Sequence, residues 1–466
     1  MTSVDASRVS RSSDFRHPIS PVEFSAEFSP KHAMSSMFHS LRSYNYRLWA
    51  AGALVSNVGT WMQRVGQDWL VLTVLTDHNA TAVGTVMALQ FGPPLLLLPL
   101  SGFTADHFDR RKLLLFTQAA AGLLALGLGL LTVFGAVQLW HVYGFALALG
   151  CVTAFDAPAR QAFVSDLVSD DDLANAVALN SASFNAARML GPAAAGVLIA
   201  VVGEGWLFLI NAGSYAAVLA SLLFLRVHEL LTEARPARMR GSMLAGFRYV
   251  WQRPDLVAVL VMLFLLGTFG FNFAIFISTM SVTVFHGDAS QYGLLTSAMA
   301  AGTMCGALLS ARRAFPGMVL MAASAAAFGV SVAVAAVMPG PYLFATVLFF
   351  VGLAALTFMT ASNSMMQLTT ERSMRGRVLA LRIAVVMGGT PIGAPLVGWV
   401  VDRFGARWAL GIGALSGLAA AVVAIVYLAR YRHLRLSFAS GRLRLFIHPE
   451  PADMTPVRVA AGERVT

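Results

Sequence analysis

Asn57, Trp61, Arg64 and Asp68 recur at i, i+4, i+7 and i+11, the spacing that sets four side chains on one stripe of an α-helix. Gln63 and Gln67 flank that stripe, and the run around them is otherwise apolar. Charges in such a run are costly unless they pair or face a water-filled path. Two chemistries fit. Arg64 and Asp68, four residues apart, neutralise one another; or Asp68 carries a proton, with Arg64 as its modulator or as a contact for an anion. Arg188 stands near the middle of another apolar run with no acid within a turn, so its partner is Asp68, water or an anionic substrate. Gln90, Asn180, Asn185 and Asn272 are amides in similar runs; such groups either line a pore or bond one helix to another. No HExxH pattern or paired carboxylates occur in these runs, and no GxxxxGK[ST] loop occurs anywhere. Hydrolytic metal chemistry and ATP hydrolysis by this chain are therefore not expected, and no metal or organic cofactor is implied. Cys151 and Cys305 both sit in apolar runs and read as small packing residues.

The elements that hold these groups follow from composition. Of 466 residues, 57% are hydrophobic and 12% charged, about half the charge of soluble domains, which run near 25%. A water-soluble fold could not hide that much apolar surface, so lipid must be the solvent. Although the net charge is +10, the basic residues sort by loop rather than into one stripe, and nucleic acid is not an expected partner. From residue 46 the chain alternates polar breaks with apolar runs of about 20 residues, the length of a helix crossing a bilayer. Twelve such runs are read, at 47–75, 81–104, 111–133, 139–160, 175–202, 205–226, 255–284, 291–311, 316–338, 341–365, 377–400 and 406–429. They lack the polar alternation of barrel strands, so an all-α membrane protein with twelve transmembrane helices is expected.

Arginine and lysine set the orientation. Six lie in the tail through Arg47, three in the 104–113 loop, six in 226–253, two near 312, three in 371–377 and seven from Arg430 onward. The intervening loops hold none except Arg403 and Arg407, with Asp402 available to pair with one of them. Both termini are thus expected in the cytoplasm. The longest loop divides the chain into two six-helix bundles, 45–227 and 255–430, between a disordered tail at 1–44 and a basic tail at 431–466. A segment at 228–254 joins them, where Leu244, Phe247, Tyr249, Val250 and Trp251 alternate with Arg248 and Arg253 as in an interfacial amphipathic helix. The two halves also echo each other: LVSDDDLANAV at 167–177 and LTTERSMRGRV at 368–378 both lead into proline-bearing helices.

The stretch 102–112, GFTADHFDRRK, has a glycine able to let helices approach closely and an acid, Asp106, four residues before Arg110 at a helix end. It resembles the loop signature GxLaDrxGrkx of the major facilitator superfamily, with His107 in place of the usual Arg and Asp109 in place of the usual Gly. The stretch 187–196, ARMLGPAAAG, reads as a tightly packed, proline-bent helix at Gly191, Pro192 and Gly196. It resembles the gxxxGPxxGG motif of the superfamily's exporters. GTWMQRVGQDWL at 59–70, AFDAPARQAF at 154–163, ALNSASFNAAR at 178–188 and MRGRV at 374–378 are similar to the enterobactin-exporter-like and multidrug-efflux-like branch.

That resemblance implies two pseudo-symmetric bundles rocking about a central cavity in a bacterial cytoplasmic membrane. It implies export of amphipathic small molecules, drugs or siderophore-like compounds, in exchange for protons. It also implies a conformational latch built on Gly102, Asp106, Arg110 and Arg111 with Asp156 and Arg160 at the end of the fourth run. The residues themselves add proton-coupling candidates Asp68, Arg64 and Arg188, and cavity candidates Asn57, Trp61, Gln63, Gln67, Gln90, Asn180, Asn185 and Asn272. A monomer in contact with membrane lipid is expected. Rival readings are a proton-independent facilitator of the same fold, a lipid flippase and a polytopic membrane enzyme.

Overall fold

A computed structural model describes residues 38–231, 243–311, 317–371, 373–431, 435–439 and 442–446. The chain separates into Met1–His39 and a second compact unit, Ser40–Thr466, and the architecture below belongs to the second. Most of the tail read from the sequence lies outside the described residues. Its last part is tied into the helices: Ser40 Oγ donates to Asn175 Oδ1 at 2.7 Å and Ser43 Oγ to the Leu167 carbonyl at 3.0 Å.

The helices are α1 (Tyr44–Trp69), α2 (Ala80–Leu96), α3 (Leu98–His107), α4 (Arg110–Val133), α5 (Leu139–Leu167), α6 (Asp170–Val202), α7 (Glu204–Leu223), α8 (Met243–Trp251), α9 (Pro254–Leu265), α10 (Phe273–Thr279), α11 (Ala289–Ala311), α12 (Met318–Ala336), α13 (Pro341–Thr369), α14 (Arg375–Phe404) and α15 (Ala406–Tyr431). Wider π turns extend α1 through Leu70–Leu75 and α9 and α10 through Leu266–Gly270 and Met280–Val284. Among the described residues, ten continuous helical segments are long and apolar enough to cross a membrane. The other two expected runs are helical but are not among those ten. α1 carries the Arg64–Asp68 stripe, which lowers its hydropathy. The second run breaks at Leu97 into α2 and α3, after Pro93 and Pro94 have removed two backbone donors.

Local sequence explains the ends. Asn79 accepts from Ala82 N and Asp109 from Lys112 N as N-caps of α2 and α4. Asp109 thus starts a helix at the position where the resembling loop signature has glycine. Gly203 and Gly405, at φ 85° and 93°, form the reversals before α7 and α15, a conformation that costs other residues.

Packing repeats between the halves. α4 packs on α7 as α12 packs on α15; α2 and α4 pack on α5 as α11 and α12 pack on α13; α1 packs on α6 and α7 as α9 and its π turn pack on α14 and α15. The halves meet where α2 crosses α14 and α6 crosses α11, a pairing that maps onto itself when the halves are exchanged. This is the two-bundle major facilitator architecture.

Both crossings make close backbone contacts where α2 and α11 begin, away from the arginine-rich loops. A Cβ on Gly398 would lie 2.5 Å from the Ala80 carbonyl, and one on Gly196 would lie 2.7 Å from the Ala289 carbonyl. The amphipathic segment is α8: Val250 is buried, Tyr249 Oη accepts from Glu371 N at 3.4 Å, and Phe247 and Trp251 stack on one another while exposed. Beyond the helices, β1 (Arg435–Ala439) and β2 (Arg442–Phe446) pair antiparallel with Ser437 opposite Arg444. The sequence reading had no element there.

Candidate functional site

A cavity has two lobes, of about 230 and about 650 Å³, which share Arg64, Gln90 and Phe91 on their walls; the smaller lies between the halves, and the larger is lined by the N-terminal half apart from Met387. The small lobe is walled by α1, α2 and Arg188 of α6 on one side and by Phe271, α10 and α11 on the other. The large one runs between α1, α4, α5 and α6 as far as Gln161 and Val164, toward the arginine-rich end. Trp61, Arg64, Asp68, Gln90 and Arg188 line the small lobe; Asn57, Gln63, Gln90, Asn180 and Asn185 line the large one. The helical stripe read from the sequence therefore does face a cavity.

Trp61 organises the charge. The Arg64 guanidinium carbon stands 4.7 Å from its ring centroid and that of Arg188 5.4 Å, with Phe184 edge-on to the same ring at 5.7 Å. An indole face attracts a cation through its quadrupole, but it cancels no formal charge. Gly191 makes the arrangement possible: a Cβ there would stand 2.6 Å from Trp61 Cβ, so the glycine lets α6 close against the turn of α1 that carries the indole. Pro192, one residue on, lacks the N–H that would bond the Arg188 carbonyl.

Arg64 and Asp68 do not close an ion pair. Asp68, 8% exposed, instead accepts from Tyr292 Oη at 3.1 Å, and the Tyr292 ring stacks on Trp69 at 6.4 Å. Tyr292 belongs to α11, so this hydrogen bond joins the two halves. Arg64 Nε is buried without a hydrogen-bond partner. Among the described residues neither Arg64 nor Arg188 has a carboxylate within ion-pair distance. Local pairing at i, i+4 was the simpler sequence reading, and the tertiary structure does not adopt it.

Asp156 and Arg160 face the large lobe and pair with each other at 3.0 Å. Asp156 also accepts from Thr117 Oγ1 and Gln118 Nε2 at 2.8 and 2.6 Å, and Arg160 reaches Asn57 Oδ1 at 3.5 Å. Asp156 does not meet Arg110, contrary to the expected latch. Arg110 bonds Asp166, nearly three turns nearer the end of α5, at 2.5 Å. Arg111 donates from Nε to the Leu222 carbonyl at 2.8 Å, satisfying the last turn of α7. The Asp106 side chain lies outside the described residues. Gly102 is not a close-approach glycine, since no described atom lies within 4 Å of its would-be Cβ. α3 packs on α5 with other residues, and Gly84 and Gly398 make the tight contacts at the α2–α14 crossing.

Two candidates turn away from the cavity. Asn272 is fully buried and donates to the Thr268 carbonyl at 2.7 Å, filling the break between the π turn and α10. Gln67 is buried beside the stripe but touches neither lobe. Gln63 lines the large lobe and accepts from Asn211 Nδ2.

Several partners were missed. Tyr292 and Asn211 carry no signal except as polar groups in apolar runs, and Asp166 is one of several acids in the polar break after the fourth run. Arg382, donating to the Met359 carbonyl at 2.9 Å and Ser362 Oγ at 3.3 Å, was legible by the argument applied to Arg188. Asp402 meets neither nearby arginine. Its Oδ1 accepts from Ala80 N at 2.8 Å, and its Oδ2 from Thr81 N and Thr81 Oγ1 at 3.0 and 2.5 Å. A carboxylate at the end of α14 thus caps the start of α2 in the other half.

Comparison with known proteins agrees with this geometry. Residues 35–442 match the family described as transmembrane secretion effector. The chain is 28% identical over 352 residues to the staphyloferrin A transporter of Staphylococcus aureus, across 75% of this chain and 87% of that one. It is 26% identical over 386 residues to the enterobactin exporter EntS of Citrobacter koseri, across 81% and 88%. The solved nucleoside transporter NupG superposes with a TM-score of 0.65 over 82% of this chain and 99% of its own, at 12% identity, a likeness of fold. With the match running through both helical halves, the chain belongs to the transmembrane secretion effector family of the major facilitator superfamily and is a membrane transporter rather than an enzyme.

Proposed function

We propose that this protein exports amphipathic, siderophore-like small molecules across a bacterial cytoplasmic membrane, with its arginine-rich end and both termini in the cytoplasm. The two halves rock about the central cavity, and protons entering the cell drive the cycle. The single observation that carries the coupling is Asp68: a carboxylate on the cavity wall, free of an ion pair with Arg64 and hydrogen-bonded to Tyr292 of the opposite half. A proton gained or lost there changes both the cavity charge and a contact between the halves. The names of the two relatives support the substrate class. The cavity is lined by Phe91, Phe271 and Phe273 as well as by charge, which suits an amphipathic molecule. Asp156, Arg160, Arg110 and Arg111 act from outside the small lobe, as struts of the cytoplasmic half of the bundle. The protein works as a monomer within lipid.

A second reading has an observation of its own. Arg64 and Arg188 face one carboxylate, Asp68, so the small lobe is formally +1 when empty. An inside-negative membrane potential draws a positive empty cavity inward, which favours a potential-driven facilitator without protons. Purified protein in liposomes with a trapped pH dye separates the two. Compound-triggered proton flux that is lost in Asp68→Asn supports antiport. Equal flux in both proteins removes Asp68 from coupling, and substrate movement without proton flux leaves the facilitator.

A further inference from the structure

Among the described residues, the two arginines of the small lobe have no ion-pair partner, although Asp68 lines the same lobe. Arg64 and Arg188 approach one indole from α1 and α6, neither makes a hydrogen bond or an ion pair among the described residues, and Arg64 Nε is buried unsatisfied. Both residues are half-buried on the cavity wall, and a cation drawn partly out of water without a partner is costlier than one that is paired. The other cavity arginine, Arg160, does have its acid. Asp68 lines the same lobe but is held by Tyr292. Helix packing enforces the arrangement, because Gly191 removes the one Cβ that would push α6 off the Trp61 turn.

We infer that Arg64 and Arg188, set around Trp61, form the recognition site for a planar anionic oxygen group of the exported molecule, a carboxylate. Guanidinium groups match such oxygens with parallel, charge-assisted hydrogen bonds. The Trp61 indole backs the two guanidinium groups rather than the anion, and the apolar remainder of the molecule lies on Phe91, Phe271 and Phe273. One bound anion brings the formal charge of the lobe from +1 to zero, which makes the occupied cavity the cheaper one to enclose. The inference rests on the export reading for its substrate and is independent of the coupling ion.

The test uses three probes on one ring: 7-diethylaminocoumarin-3-carboxylate, its neutral carboxamide and its cationic aminoethyl amide. Full-length protein in nanodiscs is titrated with each by fluorescence anisotropy, and efflux of each from proteoliposomes is followed in parallel. Wild type should bind the carboxylate roughly tenfold to a hundredfold more tightly than the carboxamide, the span of a charge-assisted hydrogen bond. Arg64→Gln and Arg188→Gln should each bring that ratio toward one while carboxamide binding changes little, and Arg188→Lys should keep part of it. A wild-type ratio of one or less overturns the site, whether or not any variant folds. So does a ratio that persists in a monodisperse Arg64→Gln/Arg188→Gln double variant. Efflux of all three probes without charge preference sustains export and sinks the anion site. Arginine-dependent carboxylate binding with no efflux of any probe sinks the export reading and leaves the site standing.

Discussion

Removing the Asp402 carboxylate should open the arginine-poor end of the protein without unfolding it. Asp402 of α14 accepts three hydrogen bonds from the first turn of α2, at 2.8, 3.0 and 2.5 Å. Helix α2 keeps its own cap, because Asn79 accepts from Ala82 N at 2.8 Å, so the contact contributes to closure between the halves more than to helix formation. Replacing a capping acid by alanine costs about 1 kcal/mol, and loss of its charge beside a helix N-terminus costs a further ~0.3–1 kcal/mol. If the contact exists only when this end is closed, Asp402→Ala shifts the closed-to-open ratio by about 1.5–2 kcal/mol, roughly 10- to 30-fold. The assay is a spin-label distance between His78→Cys and Phe404→Cys in a background with Cys151 and Cys305 replaced by serine. The long-distance population should grow in Asp402→Ala and less in Asp402→Asn, which keeps an acceptor but no charge. An unchanged distribution in Asp402→Ala, with an unchanged melting temperature, refutes the assignment of this cap to closure.

Other substitutions test neighbouring parts of the same account. Gly398→Ala places a methyl 2.5 Å from the Ala80 carbonyl, and an overpacked crossing costs about 1–3 kcal/mol; the same labels should report opening, with little change if α2 simply slides. Tyr292→Phe keeps the stack on Trp69 and removes the hydrogen bond to Asp68. Compound-triggered proton flux should fall several-fold while probe binding is retained, and wild-type flux would separate this contact from coupling. Arg110→Gln removes the ion pair that ties the start of α4 to Asp166 of α5. A partly buried pair of this kind should cost about 1–3 kcal/mol in thermal stability, and the loss should shrink in an Arg110→Gln/Asp166→Asn double variant.

Tyr292 and Asp402 mark the boundary between local and tertiary information. The spans could be read from residues 46 to 431 because a membrane helix satisfies its own backbone and must be apolar over a fixed length. The stripe Asn57–Trp61–Arg64–Asp68 could be read as facing a cavity because its spacing is helical and its charges are costly elsewhere. The same reasoning, applied evenly, would also have singled out Arg382. The loop-motif glycine misled in one respect: Gly102 has open space, whereas Gly84, Gly191, Gly196 and Gly398 make the close contacts. A glycine in sequence permits an approach but does not say which helix makes it.

The sequence by itself determined the helical class, the twelve-run pattern, the split into halves and the one stripe that lines the cavity, all properties set within about 20 residues by bilayer thickness and helix periodicity. Only the tertiary structure decided who meets whom. Asp68 is 224 residues from Tyr292 and Asp402 is 321 from Thr81, and each had a nearer arginine available. Packing of α2 on α14 and of α6 on α11 carries the distant partner to the acid, and the rigid helix holds the near arginine off toward Trp61. Sequence proximity made those local pairs plausible; helix–helix contact made the distant ones.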